Sequence, residues 1–135
     1  PVSIKDLNKT DRRESGYCRV KVEAKDLSFY GKKIKTKNKN FWVYAANPGK
    51  IKKPNNSHPI VQSYVDLFIG GCFQIKERYK INEFPKQCVE TTTEWSKHWV
   101  NDRVHARRPF LVPNFYKIDK LLSNYFDYYL ENKYQ

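Results

Sequence analysis

Cys18-Arg19-Val20-Lys21-Val22-Glu23-Ala24-Lys25 places an apolar residue at every second position without a break, the period of a strand with one face in a core and one in water. The phase then slips, because Leu27 and Phe29 are apolar at odd positions where Val20 and Val22 are even. A bulge or sharp bend near Lys25-Asp26 returns both sets to one face, as happens where a sheet curls. This pattern predicts a small, strongly curved antiparallel sheet, of which an OB-like barrel is one closed form.

The rest of the chain extends that reading. Asn40 to Ala46 is the returning strand, and Asn47-Pro48-Gly49 turns the chain after it. Ser57 and Pro59 mark a helix start, Ile60, Val61, Tyr64, Val65 and Phe68 recur at helical spacing, and Gly70-Gly71 reads as a stop. A strand competes over 60–69, where β-branched and aromatic residues dominate. Phe73, Ile75, Tyr79 and Ile81 alternate with Gln74, Lys76, Arg78 and Lys80, predicting a strand that Pro85 ends, with Cys88-Val89 as a short further strand. Thr91 and Glu94 form a capping-box pattern for a helix carrying Trp95, Trp99, Val100 and Val104. Phe115, Ile118, Leu122, Tyr125 and Tyr129 then define a last amphipathic helix. The expected fold is α+β, sheet-rich over 17–90 and helical over 91–135, with two C-terminal helices. Residues 1–16 lack a sustained period and read as a flexible arm, leaving 17–135 as a single compact domain.

Hydrophobic residues make up 39% of the 135, enough for a folded core despite 30% charged residues. No apolar run approaches the roughly 20 residues of a membrane span, so no membrane partner is expected. The sequence begins at Pro1 without the basic-then-apolar layout of a signal peptide and contains no methionine. Cys18, Cys72 and Cys88 are odd in number and lack C-x-x-C spacing, which predicts reduced, mostly buried thiols and an intracellular protein, nuclear or cytoplasmic. A secreted polyanion binder is the variant that a disulfide, or glycosylation at Asn8 or Asn55, would single out.

Charge carries the functional reading. From Leu27 to Val65 there is no acidic residue, while Lys32, Lys33, Lys35, Lys37, Lys39, Lys50, Lys52 and Lys53 hold eight positive charges against a net charge of +12 for the chain. Phe29, Tyr30, Phe41, Trp42 and Tyr44 lie in the same stretch. Lysines meet phosphates and ring faces meet bases, which is what a flexible nucleic-acid strand requires of a surface. Lys76, Arg78 and Lys80 offer a second basic face, and Arg103, Arg107 and Arg108, together with Arg12 and Arg13, are candidates to extend the binding surface. Alternation leaves open whether Trp42 and Tyr44 face out with Phe41 and Val43 inward, or the reverse. The expected partner is single-stranded or structured DNA or RNA, bound without catalysis, and no helix-turn-helix, zinc-finger or RRM signature occurs.

Two other classes compete. Asp66, followed after a glycine pair by Gln74-Ile75-Lys76, resembles the Asp and Glu/Gln-x-Lys order of the PD-(D/E)xK nuclease superfamily over residues 66–76. The resemblance implies that Asp66 and Gln74 hold magnesium and that Lys76 orients the attacking water or stabilises developing charge, on a strand over Val65 to Ile69. The proline that precedes the aspartate in that pattern is absent, and glutamine replaces the commoner glutamate. A protein-interaction module or homodimer would instead use Tyr125, Phe126, Tyr128 and Tyr129 of the last helix. Glu94, His98, Asp102 and His105 share a broad helical stripe but spread over about three turns, too far to converge on one ion. No resident metal and no cofactor are expected. No Gly-x-Ser-x-Gly elbow, P-loop or Gly-x-Gly-x-x-Gly is present.

Overall fold

The computed structural model describes residues 4–30, 35–108 and 112–131, and the chain divides into two compact units, 1–52 and 53–135. The class is α+β. Its antiparallel sheet is a two-stranded ribbon, and no closed barrel is formed among the described residues.

The first unit contains helix α1 (Ile4–Arg13), strand β1 (Tyr17–Val22) and strand β2 (Phe41–Ala46). Residues 4–13, read from the sequence as part of an arm, are helical. Asp6 in the first turn and Arg12 and Arg13 in the last complement the helix dipole, a signal that apolar periodicity misses. β1 ends at Val22, and a single 3-10 turn at Ala24–Asp26 forms the bend that the phase slip predicts. β2 ends in another 3-10 turn, Pro48–Lys50, which Asn47 caps by accepting the Gly49 N–H at 3.1 Å. No described residue of this unit is fully buried.

The second unit is mostly helical. A two-residue strand β3 (Ile60–Val61) leads into α2 (Gln62–Tyr79), followed by α3 (Phe84–Thr91), β4 (Trp99–Val100), α4 (Phe115–Ser123) and α5 (Tyr128–Glu131). β3 and β4 pair in parallel. Val65, Ile69 and Cys72 of α2 pack with Cys88 and Val89 of α3, Ile118 and Leu122 of α4, and Tyr129 of α5. Trp95 stacks on Trp99 with centroids 5.7 Å apart, and Phe126 and Tyr129 each close on one of these indoles at 5.2 and 5.3 Å.

Several expectations are overturned in this unit. The strand expected over 73–81 is the second half of α2, because Val65, Ile69, Cys72 and Phe73 continue one helical stripe. Gly70-Gly71 does not stop the helix. A Cβ on Gly70 would lie 2.9 Å from Val112 Cγ1, so this glycine admits the 112 segment against α2. Cys88-Val89 lies on α3 with Pro85 in its first turn, a position that needs no N–H donor. Thr91 ends α3 rather than capping a new helix, and Trp95 and Trp99 follow in irregular and extended backbone. The last helix breaks after Ser123.

Reduced thiols were expected, whereas Cys72 on α2 and Cys88 on α3 are joined in a disulfide with their Cα atoms 6.7 Å apart. Packing of α2 on α3 brings together two cysteines that no sequence spacing pairs. Cys18 is free and exposed.

Candidate nucleic-acid interface

The β1–β2 register settles which rings share a face. Arg19 lies opposite Tyr44 and Lys21 opposite Trp42, so Arg19, Lys21, Trp42 and Tyr44 stand on one side of the ribbon. Cys18, Val20, Val22, Phe41, Val43 and Ala45 take the other. Both sides reach solvent: Trp42 is 41% exposed and Val43 49%.

On the basic side, the Arg19 guanidinium sits over the Trp42 ring at 4.9 Å. Asp11 of α1 anchors this side, accepting the Tyr44 hydroxyl at 2.5 Å and pairing with Arg19 at 3.2 Å. The Tyr44 hydroxyl is held above its ordinary pKa, first by that hydrogen bond to the Asp11 carboxylate and then by desolvation. Trp42 is therefore the more accessible of these two rings, while Tyr44 braces the helix against the ribbon.

Lys35, Lys37 and Lys39 are exposed on the approach to β2, where Asn38 takes a left-handed turn. Lys50 and Lys52 are exposed beyond it. Lys32 and Lys33 lie outside the described residues. The first unit holds fourteen lysines and arginines against five acids, a formal charge of +9, and the second holds twelve against nine, +3. Lys53 belongs to the second unit and pairs with Glu94 at 3.4 Å between exposed side chains, a contact worth little in water.

Lys76, Arg78 and Lys80 do not line a strand face. Lys76 and Arg78 occupy the last turn of α2, where cations offset the helix dipole, and Lys80 is its left-handed cap. Arg19 and Lys21 were missed as interface candidates, although strand parity combined with the register places them beside Trp42.

The nuclease-like trio is not brought together. Asp66 is on helix α2, and Gln74 and Lys76 follow it along the same helix, about 12 and 15 Å farther along the axis. Both Asp66 oxygens are occupied: Arg103 donates Nε to Oδ2 and Nη2 to Oδ1, each at 2.7 Å, and Gln62 donates to Oδ1 at 2.8 Å. Arg103 also reaches Asp119 at 2.8 Å, and Tyr129 donates its hydroxyl to Asp119 at 2.6 Å. Burial pulls the Arg103 pKa down, but bonds to Asp66 and Asp119 outweigh it and hold the guanidinium firmly protonated. Burial first, and the Asp119 carboxylate second, push the Tyr129 phenol well up. This cluster joins α2, α4 and α5 as a fully hydrogen-bonded polar core.

Glu94, His98 and Asp102 diverge as well, to Lys53, Asn56 and Ser63 respectively. Among the described residues no group of three or more His, Cys, Asp or Glu side chains could hold a metal ion. No helix among them is long and apolar enough to cross a membrane. Phe126 and Tyr129 turn into their own core, leaving Tyr125, with its hydroxyl on Glu90 at 3.0 Å, at the surface. Comparison with protein-family models, curated proteins and solved structures finds no match to this chain.

Proposed function

We propose that the first unit binds nucleic acid, with Trp42 stacking on a base and Arg19, Lys21, Lys35, Lys37, Lys39, Lys50 and Lys52 meeting phosphates. The supporting observation is the register that sets Lys21 and Arg19 beside an accessible Trp42 on a unit of charge +9. A ring flanked by cations suits a flexible strand, whose bases all offer a π-face. The test is fluorescence anisotropy of labelled single-stranded and duplex DNA and RNA over a salt series, with a gel check of probe integrity. Five to eight phosphate contacts give a log–log salt slope of about −4 to −7. Absence of binding at moderate salt overturns the proposal.

One observation favours a second reading. The Cys72–Cys88 disulfide is the state that an oxidising compartment supports, and a polyanion there includes sulfated glycans. Heparin has no base to stack. Trp42→Ala therefore weakens oligonucleotide binding and leaves heparin binding unchanged if nucleic acid is the ligand for which the ring is placed; a tighter, Trp42-independent heparin complex supports the glycan.

A further inference from the structure

The three arginines of the 103–108 segment divide into two kinds. Arg103 turns inward onto Asp66 and Asp119. Arg107 and Arg108 are exposed, and neither forms an ion pair among the described residues. Their backbone is nevertheless held: Arg107 donates its N–H to Asp102 Oδ2 at 2.8 Å, and Arg108 donates its N–H to Ser63 Oγ at 3.3 Å. Asp102 also receives the Ser63 N–H and hydroxyl. The Arg107 and Arg108 side chains thus project from backbone held through Asp102 and Ser63 at the first turn of α2.

Arg108 continues onto Tyr64, its guanidinium 4.5 Å from the ring centroid. Stacking orients the planar group while leaving its N–H edge able to fork a phosphate and its outer face able to carry a base. Tyr64 is 48% exposed, and Phe68, one helical turn farther along α2, is 45% exposed. Carboxylate ligands would use the charge and leave both rings idle. A single strand, alternating phosphates with planar bases, uses charge and rings together.

We infer that Arg107 and Arg108, with Tyr64 and Phe68, form a second single-strand contact on the second unit, so that the chain engages nucleic acid at two places. The inference rests on the nucleic-acid reading of the first unit but involves none of its residues. For a strand long enough to span both contacts, the second forms at an effective concentration set by the segment between them.

The test is anisotropy of labelled oligothymidylate with the full chain over a salt series, comparing wild type, Arg107→Ala/Arg108→Ala, Arg108→Lys and Trp42→Ala. Both arginine side chains are exposed and their anchors are main-chain N–H groups, so these variants keep the fold. The double variant is expected to lose affinity and to flatten the log–log slope by about 1.4, for two phosphate contacts on a single strand. Arg108→Lys keeps the slope and still binds several-fold more weakly, because an ammonium does not reproduce the stacked plane. If the double variant matches wild type while Trp42→Ala weakens binding, this inference is overturned and the first-unit reading stands. The converse pattern keeps this contact and overturns the first. Arg108→Lys equal to wild type, or polyglutamate competing as well as unlabelled oligothymidylate, overturns the stacked platform, and no binding by wild type overturns both readings.

Discussion

Asp102 caps helix α2 from 39 residues away in sequence: its Oδ1 accepts the Ser63 N–H at 2.8 Å and its Oδ2 the Ser63 hydroxyl at 2.7 Å. Val61, at the usual capping position, provides no side-chain bond, so an N–H at the start of α2 depends on a carboxylate from another segment. The same carboxylate accepts the Arg107 N–H, linking the start of the core helix to the display of the exposed arginines.

Acid should therefore loosen this junction. Burial raises the Asp102 pKa, but hydrogen bonds from Arg107 and Ser63 more than offset it, leaving the carboxyl below its ordinary value. For a depressed acid, the stabilisation is complete above the unfolded pKa of about 3.9 and disappears as pH falls through the lower folded value. Asp102→Asn should lower stability near neutrality by about 1 kcal/mol, the usual scale of a lost cap. It should also remove part of the acid dependence below about pH 4. Urea unfolding of both proteins from pH 7 to pH 2, followed by Trp95 and Trp99 emission in a Trp42→Phe background, checks both effects; parallel pH profiles would discount the carboxylate.

Arg103 should be far more costly to remove than its partly exposed position suggests. It pairs with Asp66 and Asp119, both buried, so Arg103→Ala strands two carboxylates and should cost about 3–5 kcal/mol in urea unfolding. Arg103→Lys should recover only part of that, because an ammonium cannot make the two parallel bonds to Asp66. Equal stability of wild type and Arg103→Ala would mean that water satisfies these carboxylates in place of the guanidinium.

The adjacent glycines of α2 should respond in opposite directions to alanine. Nothing lies within 4 Å of a Cβ on Gly71, so Gly71→Ala should stabilise the helix by about 0.5–1 kcal/mol. On Gly70 the same methyl meets Val112 Cγ1 at 2.9 Å, and a β-branched valine has little freedom to move aside. Overpacking of about 1–3 kcal/mol should outweigh the helix gain and make Gly70→Ala destabilising. Thermal melts followed by circular dichroism distinguish the two signs.

That glycine pair also shows why the sequence was legible in one half of the fold and misleading in the other. The 18–25 alternation and the turn residues Asn47-Pro48-Gly49 act through neighbours in sequence, and β1, β2 and their turns lie where these features place them, although β1 stops at Val22 and the face expected in a core is open at Cys18, Val20 and Val43. Gly70 is explained by Val112, Cys72 by Cys88, Ser63 by Asp102 and Asp66 by Arg103. All four are tertiary relationships with no local trace. Over 73–81 a period of two fits the hydropathy as well as the helical stripe does, and only contact with α3 and α4 decides between them. The basic-aromatic candidate was legible as composition; the residues beside Trp42 required a register.

Trp42 and Phe41 give the sharpest test of that register, because they are adjacent in sequence and stand on opposite sides of the ribbon. Trp42 is exposed beside Arg19 and Lys21, whereas Phe41 is half-buried opposite Val22. Stacking predicts that Trp42→Ala weakens single-strand binding by about 1–3 kcal/mol with little change in salt slope, since no phosphate contact is lost. Phe41→Ala should leave affinity within about twofold and act on stability instead, through lost packing in the ribbon. Anisotropy titrations at one salt concentration, paired with thermal melts, separate the two. If Phe41→Ala weakens binding and Trp42→Ala does not, the strand lies on the Val20 and Val43 side, and the exposed apolar face rather than the basic one is the surface that meets the bases.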